Sequence, residues 1–467
     1  MERTYVKNTL ENIGKKVVIM GWADTIRDHG KITFVDLRDI TGKIQCVYLG
    51  KMNITPETVL LIEGVIEKRP ESMVNPKIPT GEIELKVETF EILNRCKELP
   101  IPIDTDGLDI NEESRLQYRY LDLRRQRMQK NMVIRSKFVR ALRENLYSEG
   151  FTEIETPLLT KATKEGARNF VVPSRYSPGK FYALPQSPQQ YKQLLMTAGF
   201  ERYFQIAKCI RDEDPRADRG YEFTQLDLEM SFVEREDVME TVERILKEAI
   251  LTVGGKLKDS NLPVIDYKEA IEKYHSDKFD LRTEKEKQSG ILAFAWVINF
   301  PFFKKVNKKD AAEVEDSKSG WTFTHNPFSK PLKEHEQWLL EQKNIGEILT
   351  TQYDLVCNGY EMGGGSIRAH TPDLLKAVYK VMGYFDAEID DNVGHMLEAF
   401  ELGTPPHGGI ALGIDRLLMV LTEESSLKET IAFPMTAKGK TSVMDAPCEI
   451  TDEQLRDLHL KLVGKEK

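Results

Sequence analysis

Residues 203–232 read YFQIAKCIRDEDPRADRGYEFTQLDLEMSF. Ile206 in the first half and Leu226, Leu228 and Met230 in the second alternate with polar neighbours, the period-two mark of half-buried β-strands. Between the strands, Arg211, Asp212, Glu213, Asp214, Arg216, Asp218 and Arg219 place seven charges within nine residues. A tight antiparallel hairpin turns on Asn-Gly or Asp-Gly, so a long connection crowded with arginine and carboxylate asks for another use. The plain reading is a solvated surface loop. The functional one is that the strand ends hold Arg211 and Glu213 rigidly. There a guanidinium forks onto carboxylate or phosphate, and Phe223 offers a flat face to a base.

Upstream, Gln126 to Glu149 carries Ile134, Phe138, Val139, Leu142 and Leu146 on one helical stripe, with Gly150 as the stop. The strand FTEIETPLL follows and ends at Pro157; it serves core packing or a subunit interface. LLTKATKEGARNFVVPS is polar and glycine-containing, as a mobile lid would be, and Glu165 is its one acid. FYALPQSPQQYKQLLM predicts a helix starting near Gln186, with Ser187 as cap, Pro188 at the first position, and Gln189 and Lys192 facing one way.

Downstream, 235–253 predicts an amphipathic helix, Lys256 to Ser289 an unpatterned surface stretch, and LAFAWVINFPFF a buried strand. His325 and Asn326 sit in a turn before Pro327, where a lone histidine is ordinarily structural or exposed. In YDLVCNGYEMGGGSIRAH, Asp354 and Glu361 can meet on adjoining strands, a pair suited to Mg²⁺ carrying phosphates. Gly363 to Gly365 let backbone pass close to a ligand or form a bulge at a sheet edge, and Arg368 follows. HGGIALGIDRLLMVL predicts a glycine-rich strand, then a helix beginning near Asp415-Arg416.

Residues 1–98 hold five short alternating strands, which suits an OB-fold barrel that stacks single-stranded nucleic acid on aromatics. Arg27, Phe34 and Gln45 supply a cation, a ring and an amide, although a core role for Phe34 and a surface role for Gln45 compete. Residues 99–125 lack steady periodicity and read as a hinge before an α+β domain over 126–467.

The net charge of −9 excludes a protein that coats nucleic acid indiscriminately, though not a local basic surface. Five cysteines, none nearer than fifty residues to the next, exclude a CxxC motif and suit reduced thiols. With no run of eighteen apolar residues and no apolar signal-peptide core at the start, a soluble cytoplasmic protein with no membrane partner is expected. The usual nucleotide signatures fail: GxGxxG is absent, and Pro434 stands where a phosphate loop ending in Gly439-Lys440-Thr441 needs its first glycine.

Together these stretches resemble class II aminoacyl-tRNA synthetases, and within them the bacterial aspartyl type. FTEIETPLL resembles motif 1, the dimer element. RDED…RGYEFTQLD resembles motif 2, and GGIALGIDRLLM resembles motif 3, with Asp415 where glutamate is usual. The resemblance implies a homodimer with an OB-fold anticodon reader and an antiparallel catalytic sheet. It implies ATP and Mg²⁺ as cofactors, L-aspartate as substrate and tRNA-Asp as partner. By position, Arg211 would bridge the amino-acid carboxylate and the α-phosphate, Phe223 and Arg416 would sandwich adenine, and Asp354 with Glu361 would hold Mg²⁺. Asp212, Glu213, Gly413, Ile414 and Asp415 would complete the ATP site. Lys192 and Arg368, oriented by Asp227, would grip the substrate's β-carboxylate. Glu165, Ser187 and Gln189 would surround its amino group, and His325 would close over it.

Two departures stand out. Gly220-Tyr221 replaces the usual glutamine-proline of motif 2, and only a short linker near 280–292 stands where bacterial relatives carry an inserted domain. His29, with Arg27, Phe34 and Gln45 at the anticodon, and Ser72 match the two positions at which the family relaxes its tRNA choice. Charging of tRNA-Asn, with a partner amidotransferase to finish the product, is therefore expected. An asparaginyl or lysyl enzyme and a non-catalytic RNA-binding paralogue are the rivals.

Overall fold

The computed structural model describes residues 2–308, 314 and 317–463 and divides into one unit up to Pro102 and another from Ile103. In the first, alternation closes a five-stranded barrel: β1 (Lys16–Asp28), β2 (Thr33–Asp39), β3 (Gly42–Tyr48), β4 (Val59–Lys68) and β5 (Ile83–Asn94), in the order β1-β2-β3-β5-β4. The β3–β5 contact is parallel and the other ladders are antiparallel. Ile19, Val35, Leu37, Ile44, Cys46, Ile62 and Leu85 fill the interior. Closure leaves no long sheet edge unpaired. This is an OB-fold.

In the second unit an eight-stranded sheet runs β9-β10-β11-β12-β13-β8-β7-β6. In chain order its strands are β6 (Thr152–Glu153), β7 (Arg202–Ile210), β8 (Glu222–Ser231), β9 (Val264–Asp266), β10 (Phe294–Ile298), β11 (Tyr353–Cys357), β12 (Tyr360–Ile367) and β13 (His407–Gly413). The six middle strands are antiparallel and both edge strands pair in parallel. Helices α1 (Gln126–Ser148), α2 (Gln189–Thr197), α3 (Arg235–Thr252), α4 (Pro372–Val381), α5 (Asp386–Glu401) and α6 (Ile414–Leu421) surround it. The α1 stripe packs Phe138, Leu142 and Leu146 into the same core as Leu226, Leu228 and Met230. Burying each such side chain stabilises by roughly 1.5–3 kcal/mol. Gly150 ends α1 with φ +79°, a left-handed turn that a side chain resists.

Three expectations are corrected here. The strand β8 is not half-buried: from Thr224 onward both faces are covered, one by core and one by the floor of a cleft. The stretch 256–289 is not featureless surface, since it supplies edge strand β9 and a helix over Tyr267–Tyr274. Of the expected hinge over 99–125, residues 103–125 belong to the second unit: Arg115 pairs with Glu429 at 2.8 Å and Arg119 Nε donates to the Ala432 carbonyl at 2.9 Å, while buried Asp122 holds Arg119 and Arg125 within the segment.

Candidate active site

The polar side of β8 decides what the sheet is for. Gln225, Asp227 and Glu229 alternate with the core leucines; Gln225 and Asp227 line the cleft, Glu229 lies behind them, and both carboxylates are fully buried. Two carboxylates without water need cations. Lys192 from α2, 1% exposed, donates to Asp227 Oδ1 at 2.6 Å and lies 3.4 Å from Glu229. Arg368, 2% exposed, forks onto Glu229 through Nε at 2.8 Å and Nη2 at 3.1 Å. Nη1 also donates to Ser366 Oγ and Nη2 to the Gly409 carbonyl, so one Nη1 N–H is left over of the five donors. Asp227 therefore orients Lys192 alone, and Glu229, which the sequence reading left out, holds Arg368. Period-two counting along β8 from Asp227 is the signal that finds it.

These neighbours drive the two acids apart. Burial raises Asp227, and Lys192 only partly offsets it. Burial opposes ionisation of Glu229 too, but Arg368 and Lys192 together hold it below the ordinary carboxylate range. Asp227 Oδ2 makes no hydrogen bond, leaving a buried acceptor beside the cleft.

Backbone closeness lets the pairs sit this deep. A Cβ on Gly409 would collide with Glu229 and with the Leu228 carbonyl, and one on Gly364 would collide with Asp354 and Gln352. Both glycines stand where a neighbouring strand or side chain already occupies the space.

Beside this quartet, the Ser187 hydroxyl donates to Glu165 at 2.7 Å and accepts from the Gln189 backbone N–H at 3.3 Å. Pro188 is the cap of α2 rather than its first residue. Burial raises the Glu165 carboxyl.

At the other end of the cleft, Arg211 lies over the Phe223 ring, 5.0 Å from its centroid, and its Nε donates to the Gln186 carbonyl at 3.3 Å. Arg416 donates to the Glu361 carbonyl at 2.5 Å and pairs with Asp218 at 3.2 Å. Glu213 pairs with Arg219 at 3.1 Å. Of the other residues expected around a nucleotide, Gly413 borders the cleft. Asp415 does too, but Arg135 and the Thr224 amide occupy its oxygens. Asp212 turns outward to Arg168, at 3.7 Å. The Ile414 side chain belongs to the core, so only its backbone can serve a ligand.

The carboxylates expected to hold a metal are already engaged. Asp354 accepts from Gln352 Nε2 at 2.7 Å and meets His325 Nε2 at 3.1 Å. Burial raises Asp354; Asp354 in turn raises His325 above its usual value, overcoming burial. Glu361 pairs with Lys278 at 2.9 Å and is held low by Lys278 against its burial. Lys278, from the stretch read as bare surface, is a second residue the sequence reading missed. Among the described residues no group of three or more metal-ligating side chains forms a cage. Two hard oxygen donors, one against a histidine and one against a lysine, fit a Mg²⁺ that arrives with phosphates, not one bound by protein alone.

On the barrel, Arg27 and Phe34 pair across β1 and β2, and Gln45 sits opposite Asp36. Phe34 alternates with buried Thr33 and Val35, so it is half-buried on the outer face and not in the core. His29 meets its ring edge-on at 5.7 Å. Asp36 and Gln45 both accept from Arg27, at 3.1 Å each. Ser72 is exposed in a short helical turn over Glu71–Met73.

Residues 111–437 match the family model described as tRNA synthetases class II (D, K and N), and residues 17–93 match the OB-fold nucleic acid binding domain. The chain belongs to the class II tRNA synthetases. The aspartate–tRNA(Asp/Asn) ligase of Halothermothrix orenii is 36% identical, with 99% of each chain covered, over an alignment of 595 positions. That of Dictyoglomus turgidum is 38% identical, with 100% of this chain and 99% of the relative covered. Since this synthetase has 467 residues, those alignments contain more than a hundred positions at which it has no residue. In fold, the synthetase is similar to asparaginyl-tRNA synthetase of Pyrococcus horikoshii solved with asparaginyl-adenylate (TM-score 0.74, 22% identity, 93% and 98% covered). It is also similar to aspartyl-tRNA synthetase of Entamoeba histolytica (TM-score 0.71, 20% identity, 93% and 91% covered). Among the described residues no helix of the synthetase is long and apolar enough to cross a membrane.

Proposed function

We propose that the chain is an aspartate–tRNA ligase that charges both tRNA-Asp and tRNA-Asn. The observation carrying the substrate is the dry quartet: Lys192 and Arg368 border the cleft with Asp227 and Glu229 behind them. Two fixed cations accept a β-carboxylate and reject asparagine, whose amide would leave donors facing donors. Glu165, Ser187 and Gln189 receive the ammonium group, and Arg211 receives the α-carboxylate.

In the first step an α-carboxylate oxygen attacks the α-phosphorus of ATP and pyrophosphate leaves. In the second, the terminal ribose hydroxyl of tRNA attacks the acyl carbon, its proton is lost, and AMP leaves. The chain supplies no nucleophile; it positions the reactants and neutralises charge. Phe223 and Arg416 take the adenine, and Arg211 swings from the Phe223 ring to bridge carboxylate and phosphate. Asp354 and Glu361 are the residues that would hold Mg²⁺, which neutralises phosphate charge when bound. His325 and Lys278 stand against those two acids in the absence of a ligand. The protein works as a cytoplasmic homodimer, and the stretch missing relative to its relatives lies near 280–292.

His29 beside Phe34, with small Ser72, supports relaxed anticodon choice: a histidine donates or accepts by tautomer and so tolerates cytosine or uracil. The product Asp-tRNA-Asn would then go to an amidotransferase. Aminoacylation of both purified tRNAs is expected to proceed at similar efficiency. A hundredfold preference for tRNA-Asp, about 2.7 kcal/mol, would leave the strictly specific enzyme as the answer. Absence of aspartate-dependent pyrophosphate–ATP exchange would leave only an RNA-binding paralogue. Phe34→Ala in the full chain is expected to weaken anticodon stem-loop binding by about 1–3 kcal/mol, the value of one stacked base. Titration of a labelled stem-loop checks it, and unchanged affinity removes Phe34 from the interface.

A further inference from the structure

Gln189 and Gln193 lie four residues apart on α2 and so share one helix face. From Gln189, at the cleft, a line of hydrogen bonds runs inward: Gln189 Nε2 donates to Gln193 Oε1 at 3.0 Å, and Gln193 Nε2 meets His407 Nε2 at 3.0 Å. The other ring nitrogen, His407 Nδ1, lies 2.8 Å from the Pro405 carbonyl oxygen. A carbonyl only accepts, so Nδ1 carries the proton, and the lone pair of a neutral ring falls on Nε2. Only a donor can face that lone pair. Gln193 must therefore turn its NH₂ to the ring and its oxygen to Gln189, which spends one N–H there and leaves its own oxygen for the cleft.

We infer that His407, acting through Gln193, sets the amide of Gln189 so that its oxygen faces the α-ammonium group of the substrate. Reversed, that amide would present N–H groups to a cation. The inference rests on the aspartate reading above. His407 and Gln193 are completely buried, so no water can substitute for either link. Burial, against the pull of nearby Glu229, depresses the His407 ring to about 4, which keeps it neutral at working pH; Arg368 and His370 push the same way. Both residues are positioning residues: neither touches substrate.

The test compares two ligands that differ only in the amino group, L-aspartate and succinate, by calorimetric titration. Gln193→Leu is expected to weaken L-aspartate about tenfold or more, the size of one hydrogen bond to a charged group, and to leave succinate unchanged. Equal weakening of both ligands, or of neither, overturns the inference. Gln193→Glu keeps the acceptor for Gln189, with the donor between the carboxyl and Nε2 supplied by either the carboxyl proton or the ring. It is expected to preserve the wild-type preference for L-aspartate over succinate. Loss of that preference overturns the inference even where Gln193→Leu does not fold. A wild-type protein that binds neither ligand refutes the aspartate reading itself, and the inference with it.

Discussion

Arg368→Leu is expected to cut aspartate-dependent pyrophosphate exchange severely while ATP still binds. Truncating one partner of a buried charge pair costs about 2–5 kcal/mol or more, so activation should fall by tens to thousands of times. The variant should also unfold more readily, because Glu229 is left buried with only Lys192, at 3.4 Å, to answer it. Removing one member of a buried pair typically costs about 3–5 kcal/mol. The double variant Arg368→Leu, Glu229→Leu separates the two effects: it should regain much of the stability and none of the activity. Thermal unfolding, equilibrium ATP binding and exchange with and without L-aspartate check this. Equal loss of ATP and aspartate binding in the double variant would remove Arg368 from the amino-acid end of the cleft.

Glu361→Gln is expected to cut the exchange rate by about 10²–10³, the usual cost of losing one preorganised group that stabilises transferring charge. The amide preserves shape but no longer balances Lys278 or attracts a divalent cation. L-aspartate binding without ATP should be unchanged, because Lys192 and Arg368 keep their own partners. Exchange measured across a Mg²⁺ series should show a deficit that added metal narrows only in part. A rate within about twofold of wild type would return Glu361 to a simple ion pair with Lys278; by the usual logarithm that is about 0.4 kcal/mol.

The barrel and the catalytic sheet were legible because period-two alternation and the α1 stripe report burial directly. Burial does not report what lies beyond a polar face. Asp227 and Glu229 look alike in sequence whether they meet water or a dry cleft, and only pairing across β13 and β12 brings Arg368 to Glu229. Lys278 was hidden for the opposite reason: a lysine among lysines carries no pattern until β9 and the helix after it fold against the sheet. Asp212, Ile414 and Asp415 show a third limit. Consecutive residues beside a motif point in different directions, so Arg211 and Arg416 line the cleft while their neighbours grip Arg168, the core and Arg135.

Gly364 and Gly409 restrict how this cleft can change over generations. Each stands where even one methyl group would strike Asp354 or Glu229, so the shortest step in the genetic code from glycine, to alanine, is closed at the floor. A new preference for the amino acid cannot be reached by filling the pocket from below, as it can where a floor is lined by exchangeable side chains. It has to come from above, by altering α2 or Arg368, and any such change must replace a charge and its partner together. Substrate choice in this chain is thus guarded by the absence of side chains as much as by their presence.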